Sequence, residues 1–398
     1  MPLPSDQDAS GRTLGAAELA RLEAVIASGT LTSTKGVQTP ELESRFAALV
    51  GRRGAIACSS GTAAVHTAIA AVDPEPGDEI ITSPITDIGA ITPILFHGAI
   101  PRFADVDPAS GMVTAETVAA ARSDRTRAVV VTHLFGIPAP VDAIVAAAEV
   151  PVIEDCAQAY GAARGGAAVG TIGTFGCFSL QQGKHITTGE GGVVVGDDAA
   201  LMRRARVFVN KGWPYGEADP DHEFLALNLR ISELQSAVAN AQLDRLVAAV
   251  DARRTSVERF LDAITALPGL EVTPVAAGDV ATWWKVPVLV DPAVVPGGPR
   301  ALAAELATRG IASAPRYIQK PAFACRIFTE QRTFGTSRWP FTLATAEALD
   351  YAAERFPGTT TYLDRVLVLP WNERYESSHV DTVVAALSSA LRAVGVVA

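Results

Sequence analysis

The sequence predicts an α/β protein with a large domain on a mostly parallel seven-stranded sheet and a smaller C-terminal α+β domain. Three observations carry this reading. Seven short apolar, β-rich runs recur at 55–58, 79–82, 101–104, 128–132, 151–154, 175–180 and 192–196. Ala-rich helical stretches at 62–72, 115–121 and 141–148 lie between several of them, and strands alternating with helices give a parallel sheet covered on both faces. Runs such as 128–132 (AVVVT) are apolar throughout, as a strand buried on both faces requires.

In chain order, 15–28 places Leu19, Leu22, Val25 and Ile26 on one helical face. The seven strand runs and their helices come next. From about Ile231 the pattern changes, and 231–267 reads as one long helix with Arg and Asp on its outer face. Pro287, Pro292, Pro296, Pro299 and Gly297–Gly298 then punctuate a smaller region. The expected division is 1–250 for the large domain and 251–398 for the small one.

Of 398 residues, 48% are hydrophobic and 19% charged, which is ample apolar side chain for a large core and rules out a disordered or fibrous chain. The net charge of −10 argues against a nucleic-acid partner, which needs a basic surface. Only five of the 33 basic residues are lysines, at 35, 184, 211, 285 and 320, so a lysine in an unusual place is informative. Cys58, Cys156, Cys177 and Cys325 are scattered singly, so neither a disulfide framework nor a metal site is expected. The polar N-terminus has no signal-like apolar region, and the longest charge-free run, 165–183, is too rich in Gly, Thr and Gln to span a membrane. A cytoplasmic protein with no membrane partner is expected.

Ligands of open α/β sheets bind at the carboxyl ends of the strands, so the residues after each strand are the candidates. Ser59-Ser60-Gly61-Thr62 opens a helix: its free amides make it an anion site or an ordinary helix cap. Neither standard nucleotide-binding glycine motif is present. Glu154-Asp155, with Gln158 three residues on, ends a strand; Asp155 can pair with a cationic ring nitrogen or hold a metal, or else cap a helix or form a surface salt bridge. Lys184, in FSLQQGKHITTGEGG, stands between an apolar strand and a Gly/Thr turn, with no acidic neighbour within five residues. It is either a solvated turn lysine or a desolvated nucleophilic amine that forms a Schiff base. Together Gly61-Thr62, Asp155 and Lys184 supply the phosphate cradle, the ring-nitrogen carboxylate and the aldehyde-binding amine that pyridoxal 5′-phosphate (PLP) requires.

The blocks GTLTSTKGVQTPELESRFAALVGRRGAIACSSGTAAVHTAI, FADVDP, VIEDCAQAYGA, FSLQQGKHITTGEGG, LNLRISELQSAVANAQL and VLVLPWNE occur in an order that resembles the DegT/StrS-type sugar aminotransferase family. These are PLP enzymes with the aspartate aminotransferase fold, PLP-dependent transferase fold type I. The resemblance implies that Lys184 is covalently joined to the cofactor and moves the substrate α-proton. It implies that Asp155 binds the pyridine nitrogen, Gln158 the phenolic oxygen, and Gly61, Thr62 and Ser179 the phosphate. Asn228 would reach the phosphate of the neighbouring subunit, giving a homodimer with shared active sites. His185, Tyr317 and Lys320 are candidates for the substrate. The implied reaction moves an amino group from L-glutamate or L-glutamine to a keto-sugar or ketocyclitol, in natural-product or surface-sugar biosynthesis. A dehydratase or eliminase of the same fold and a non-catalytic PLP- or sugar-sensing protein are the rivals, which the retained Lys184 disfavours.

Two departures stand out. Many relatives stack an aromatic on the cofactor ring after the second strand, where this chain has Ser83-Pro-Ile-Thr-Asp87-Ile88-Gly89; Ile88 is the candidate apolar substitute. Gln181-Gln182 replaces the His-Pro of many sugar-nucleotide relatives, a variant associated with ketocyclitol and antibiotic-pathway members. Of the remaining residues, His222 is read as a loop residue at the substrate mouth or on the surface, Trp283-Trp284 as core of the small domain, and Trp371-Asn372-Glu373 as either a site or a structural turn.

Overall fold

The computed structural model describes residues 2–397. Its first nine strands are β1 Gly54–Cys58, β2 Glu79–Thr82, β3 Ile100–Phe103, β4 Thr126–Thr132, β5 Val152–Asp155, the short pair β6 Ala163–Arg164 and β7 Ala167–Ala168, β8 Phe175–Ser179 and β9 Gly192–Gly196. Seven of these form one sheet in the order β1-β9-β8-β5-β4-β2-β3. The pairs among β2, β3, β4, β5 and β8 are parallel, and β9 alone runs against its neighbours β1 and β8. The predicted mostly parallel seven-stranded sheet is therefore present, and each expected strand is found within two residues of its bounds.

Alternation along the strands explains why the runs are apolar throughout. In β4, Ala128 and Val130 pack with the helix Gly61–Val72, while Val129 and Val131 pack on the opposite face with Val286, Val288 and Leu367. Those last residues belong to a second sheet, β10 Leu270–Val272, β11 Lys285–Val290, β12 Ala314–Pro315 and β13 Val366–Pro370, ordered β10-β11-β13-β12 and wholly antiparallel. A single apolar cluster thus runs from the large sheet into the small one.

Two helical expectations need correction. The stretch 231–267 is not one helix but two, Glu233–Leu243 and Leu246–Ile264; the chain tightens between them, where the Arg245 amide donates to the Gln242 carbonyl. The second helix is unbroken through residue 250 and buries Val257, Phe260 and Ile264 in the shared cluster. In the helix Ala16–Ser28, Val25 and Glu18 are buried, whereas Leu19 and Ile26 are 66% and 67% exposed. The apolar residues there fall on more than one face.

The N-terminal segment is tied down by charge. Arg253, fully buried, donates to both oxygens of Asp6, to Glu373 and to the carbonyls of Trp371 and Trp284. Trp371 itself donates to Ser256 Oγ at 2.8 Å, so Trp371-Asn372-Glu373 is a structural turn. Cys58, Cys156 and Cys177 are buried free thiols, and burial pushes all three above their ordinary range. Among the described residues, no helix is long and apolar enough to cross a membrane.

Glu154, in β5, is the most fully satisfied acid of the sheet. Its oxygens accept from the amides of Gly170 (2.7 Å), Ile172 (2.8 Å) and Gly173 (2.6 Å) and from His133 Nε2 (3.0 Å). His133 Nδ1 accepts the Ala139 amide, so Nε2 carries the proton it donates. These donors hold the Glu154 carboxyl below its ordinary range despite burial, which acts against them. Glu154→Gln turns one acceptor into a donor against backbone amides. We expect it to cost about 2–4 kcal/mol at neutral pH in urea denaturation. The folded pKa is depressed, so this stabilisation is complete above the ordinary value of 4.5 and fades as pH falls through the folded one. The difference between the two proteins should shrink in acid.

Candidate active site

Parallel strands end at one edge of a sheet, so β5 and β8 deliver their last residues side by side, with Asp155 paired to Cys177 in register. The ends of β1, β5 and β8 surround a cavity of about 340 Å³. Gly61, Thr62, Asp155, Gln158, Ser179 and Lys184 all line it. The structure therefore brings together six of the residues singled out in the sequence.

The anion cradle is the start of the helix Gly61–Val72. Ser60 caps that helix, its hydroxyl accepting the Ala63 amide at 3.0 Å. The amides of Gly61 and Thr62 have no acceptor among the described residues, and a helix start with free amides binds anions. Glycine is needed here for space: a Cβ on Gly61 would stand 2.6 Å from Ser179 Cβ, and one on Gly192 would stand 2.2 Å from the Ser60 carbonyl oxygen. Ser179 Oγ accepts the Gln181 amide at 3.3 Å, leaving its own hydrogen free.

Asp155 accepts the Ala157 amide at 3.1 Å. Burial raises its carboxyl above the ordinary range and the Asp87 charge adds to this, while the Ala157 amide and the Lys184 ammonium oppose it. Gln158 Oε1 accepts the Phe135 amide at 2.7 Å, and its Nε2 donates to the Tyr317 hydroxyl at 3.3 Å, with a second hydrogen to spare.

Lys184 is held through its backbone. Its amide donates to Gln181, and its carbonyl accepts from Arg12 Nη1 at 2.7 Å. Its Nζ lies 4.2 Å from the ring centroid of Trp284, which itself donates to the Gly183 carbonyl at 2.6 Å. Burial lowers the amine to about 8, against the pull of Asp155 and Asp87 and with help from the Lys285 charge. A solvated turn lysine is excluded.

Other sequence expectations meet a different geometry. His185 does not line the cavity: it is buried, its Nε2 within 3.1 Å of the Thr282 carbonyl and its ring against Tyr160. The turn that carries Lys184 directs the next side chain into the core. Lys320 is exposed away from the cavity lining, and Asn228 is exposed in a bridge with Asn210. Tyr317 reaches the site through Gln158. His222 lies in an exposed loop against Trp213. Ile88, weighed as the apolar face, points to solvent; Asp87, Gly89 and Ala90 form that wall instead. Trp284 is not simply core as expected, and Asp87 and Lys285 were not singled out. Only the rarity of lysine marked Lys285. His133, Glu154 and Cys156 lie close enough to ligate a metal, but the polar atoms of His133 and Glu154 are taken by the protein donors described above.

The residues fit PLP: an anion cradle, a buried carboxylate for a protonated ring nitrogen, an amide donor, and an amine with a lowered pKa share one cavity. The comparisons agree with this fit. Residues 12–388 match the DegT/DnrJ/EryC1/StrS aminotransferase family. A UDP-N-acetyl-3-dehydro-alpha-D-glucosamine 3-aminotransferase of Acidithiobacillus ferrooxidans is 37% identical over 237 residues. That match covers 58% of this chain and 63% of the relative, so the chain spans less than two thirds of that relative's length. An aminotransferase from Psychrobacter cryohalolentis superposes with TM-score 0.84 at 27% identity, covering 96% of this chain and 98% of that one. The sugar aminotransferase CalS13 from Micromonospora echinospora gives 0.83 at 26% identity, covering 98% of this chain and 100% of its own.

Two outcomes are expected. Gly61→Ala should weaken PLP binding at least about tenfold in equilibrium dialysis by crowding Ser179, with the circular dichroism of the fold retained. The rate at which apoprotein captures PLP should rise with pH, because only the unprotonated amine attacks. Its midpoint should lie near the lowered Lys184 value of about 8, read by stopped-flow absorbance.

Proposed function

The chain belongs to the DegT/DnrJ/EryC1/StrS aminotransferase family, whose cofactor is PLP; from this premise we propose that it transfers the amino group of L-glutamate or L-glutamine to a keto-sugar or ketocyclitol. The observation that carries the proposal is the meeting of Lys184, Asp155 and the free amides of Gly61 and Thr62 in one cavity. In this reading Gly61, Thr62 and Ser179 hold the phosphate, Asp155 the ring nitrogen, and Gln158 the phenolic oxygen through its spare hydrogen. Bound PLP supplies an aldehyde and an electron-withdrawing ring that stabilises negative charge on the substrate carbon. Asp155, as a carboxylate, keeps a proton on the ring nitrogen. Lys184 Nζ would carry the proton from the substrate carbon as a general base and return it as an acid. Its lowered pKa places both forms within reach near neutral pH.

The sugar specificity of the Acidithiobacillus relative and of CalS13 supports a keto-sugar acceptor. Exposed Leu14, Leu19, Ile26, Leu31, Val37, Leu225 and Leu227 support a homodimer, since apolar surface of this kind marks an interface. Asn228, exposed between Leu227 and Leu229, would then reach toward the cofactor phosphate of the second copy. The buried free thiols support a reducing, cytoplasmic setting.

Purified protein reconstituted with PLP should be yellow and should bleach on addition of glutamate or glutamine. Incubation with a panel of keto-sugar nucleotides and inososes should then give, by mass spectrometry, a product in which an amine has replaced a ketone oxygen. Lys184→Ala should lose covalently held colour and reduce turnover by at least about 10²–10⁴-fold. A yellow protein that neither amino acid bleaches would remove the transaminase reading and favour elimination chemistry.

A further inference from the structure

We infer that Lys285, seated beside Trp284 and Tyr317 at the edge of the cofactor cavity, binds the anionic group of a substrate, a carboxylate or a phosphate. The inference rests on the proposed function and names a residue that neither the sequence motifs nor the comparisons assign.

Lys285 opens β11, immediately after Trp284, which lines the cavity. Its Nζ lies 4.3 Å from the Trp284 ring centroid and 5.8 Å from that of Tyr317. The same Trp284 ring carries Lys184 Nζ at 4.2 Å. Tyr317 in turn accepts from Gln158, a lining residue. Two ammonium groups therefore share one indole at the site. No carboxylate oxygen lies within 4.0 Å of either nitrogen among the described residues. Asp6, the acid that acts on Lys285 through space, is already bonded to Arg253 and Asn372.

A half-buried ammonium without a counter-ion is costly, and ring faces return only a small part of that cost. Elsewhere in this acidic chain many basic groups are paired, including the fully buried Arg253. The missing partner at Lys285 is an anion brought from outside. Both substrate classes of the proposed reaction carry one: the amino donor has carboxylates, and a nucleotide-linked keto-sugar has phosphates. An ammonium suits either as a point charge.

The test uses PLP-loaded wild type, Lys285→Met, Lys285→Gln and Lys285→Arg. Glutarate serves as the carboxylate probe and UDP as the phosphate probe, with binding read by calorimetry and the visible band of the bound cofactor confirming a loaded site. We expect both neutral variants to bind one of the probes about 10–100-fold more weakly, with their colour unchanged, and Lys285→Arg to stay close to wild type. Loss confined to glutarate identifies the donor carboxylate, and loss confined to UDP identifies the acceptor phosphate. If both neutral variants bind both probes as wild type does, or if wild type binds neither, the inference falls. If glutamate and glutamine fail to bleach wild type while the anion loss persists, the transaminase reading fails and the anion site stands.

Discussion

The parallel pairing of β5 with β8 is the constraint on which the site depends. Ile153 lies opposite Phe175, Glu154 opposite Gly176 and Asp155 opposite Cys177. Successive side chains of a strand point to opposite faces, so adjacent acids meet different fates. Glu154 turns to the loop at Gly170–Gly173 and is saturated by four donors, while Asp155 turns to the cavity. A slip of one residue would exchange them, leaving three amides of that loop without acceptors and the cavity without its acid. The same pairing ends β8 beside β5, so Ser179 and the Lys184 loop arrive against Asp155 rather than elsewhere on the sheet.

That placement has an electrostatic consequence. Lys184 and Asp155 are charged in one cavity whose burial penalises both, pushing the amine down and the carboxyl up. Each charge partly relieves the other. Asp87 and Lys285 extend the balance outward, one adding negative charge and the other positive.

Part of the backbone strain lies at the same place. Phe135, Trp283 and Tyr317 have φ of 59°, 53° and 53°, in the left-handed region that side chains avoid at a cost of about 1–3 kcal/mol each. Phe135 presents its amide to Gln158, Trp283 precedes the Trp284 platform, and Tyr317 receives Gln158 Nε2. The Thr282 amide bonded to Gly136 and the Trp284 amide bonded to Phe135 clamp these segments together. The strained residues come from both sheets' connections, so the site is held where the two sheets meet.

The sequence by itself determined the α/β class, the seven strands, and Gly61, Thr62, Asp155 and Lys184 as candidates at strand ends, because these depend on local signals: alternation, a small-residue turn opening a helix, and a lysine without acidic neighbours; Ser179 and the role of Gln158 came only with the family resemblance. Only the tertiary structure decided which neighbours of those residues join them. His185 follows Lys184 yet faces the core, and Ile88 follows Asp87 yet faces solvent, because a turn's exact path sets side-chain direction and no periodicity records it. Trp284 and Lys285 lie about a hundred residues beyond Lys184 on the second sheet. Their place depends on how the two sheets pack, which is fixed by the apolar cluster they share and not by any short stretch of the chain.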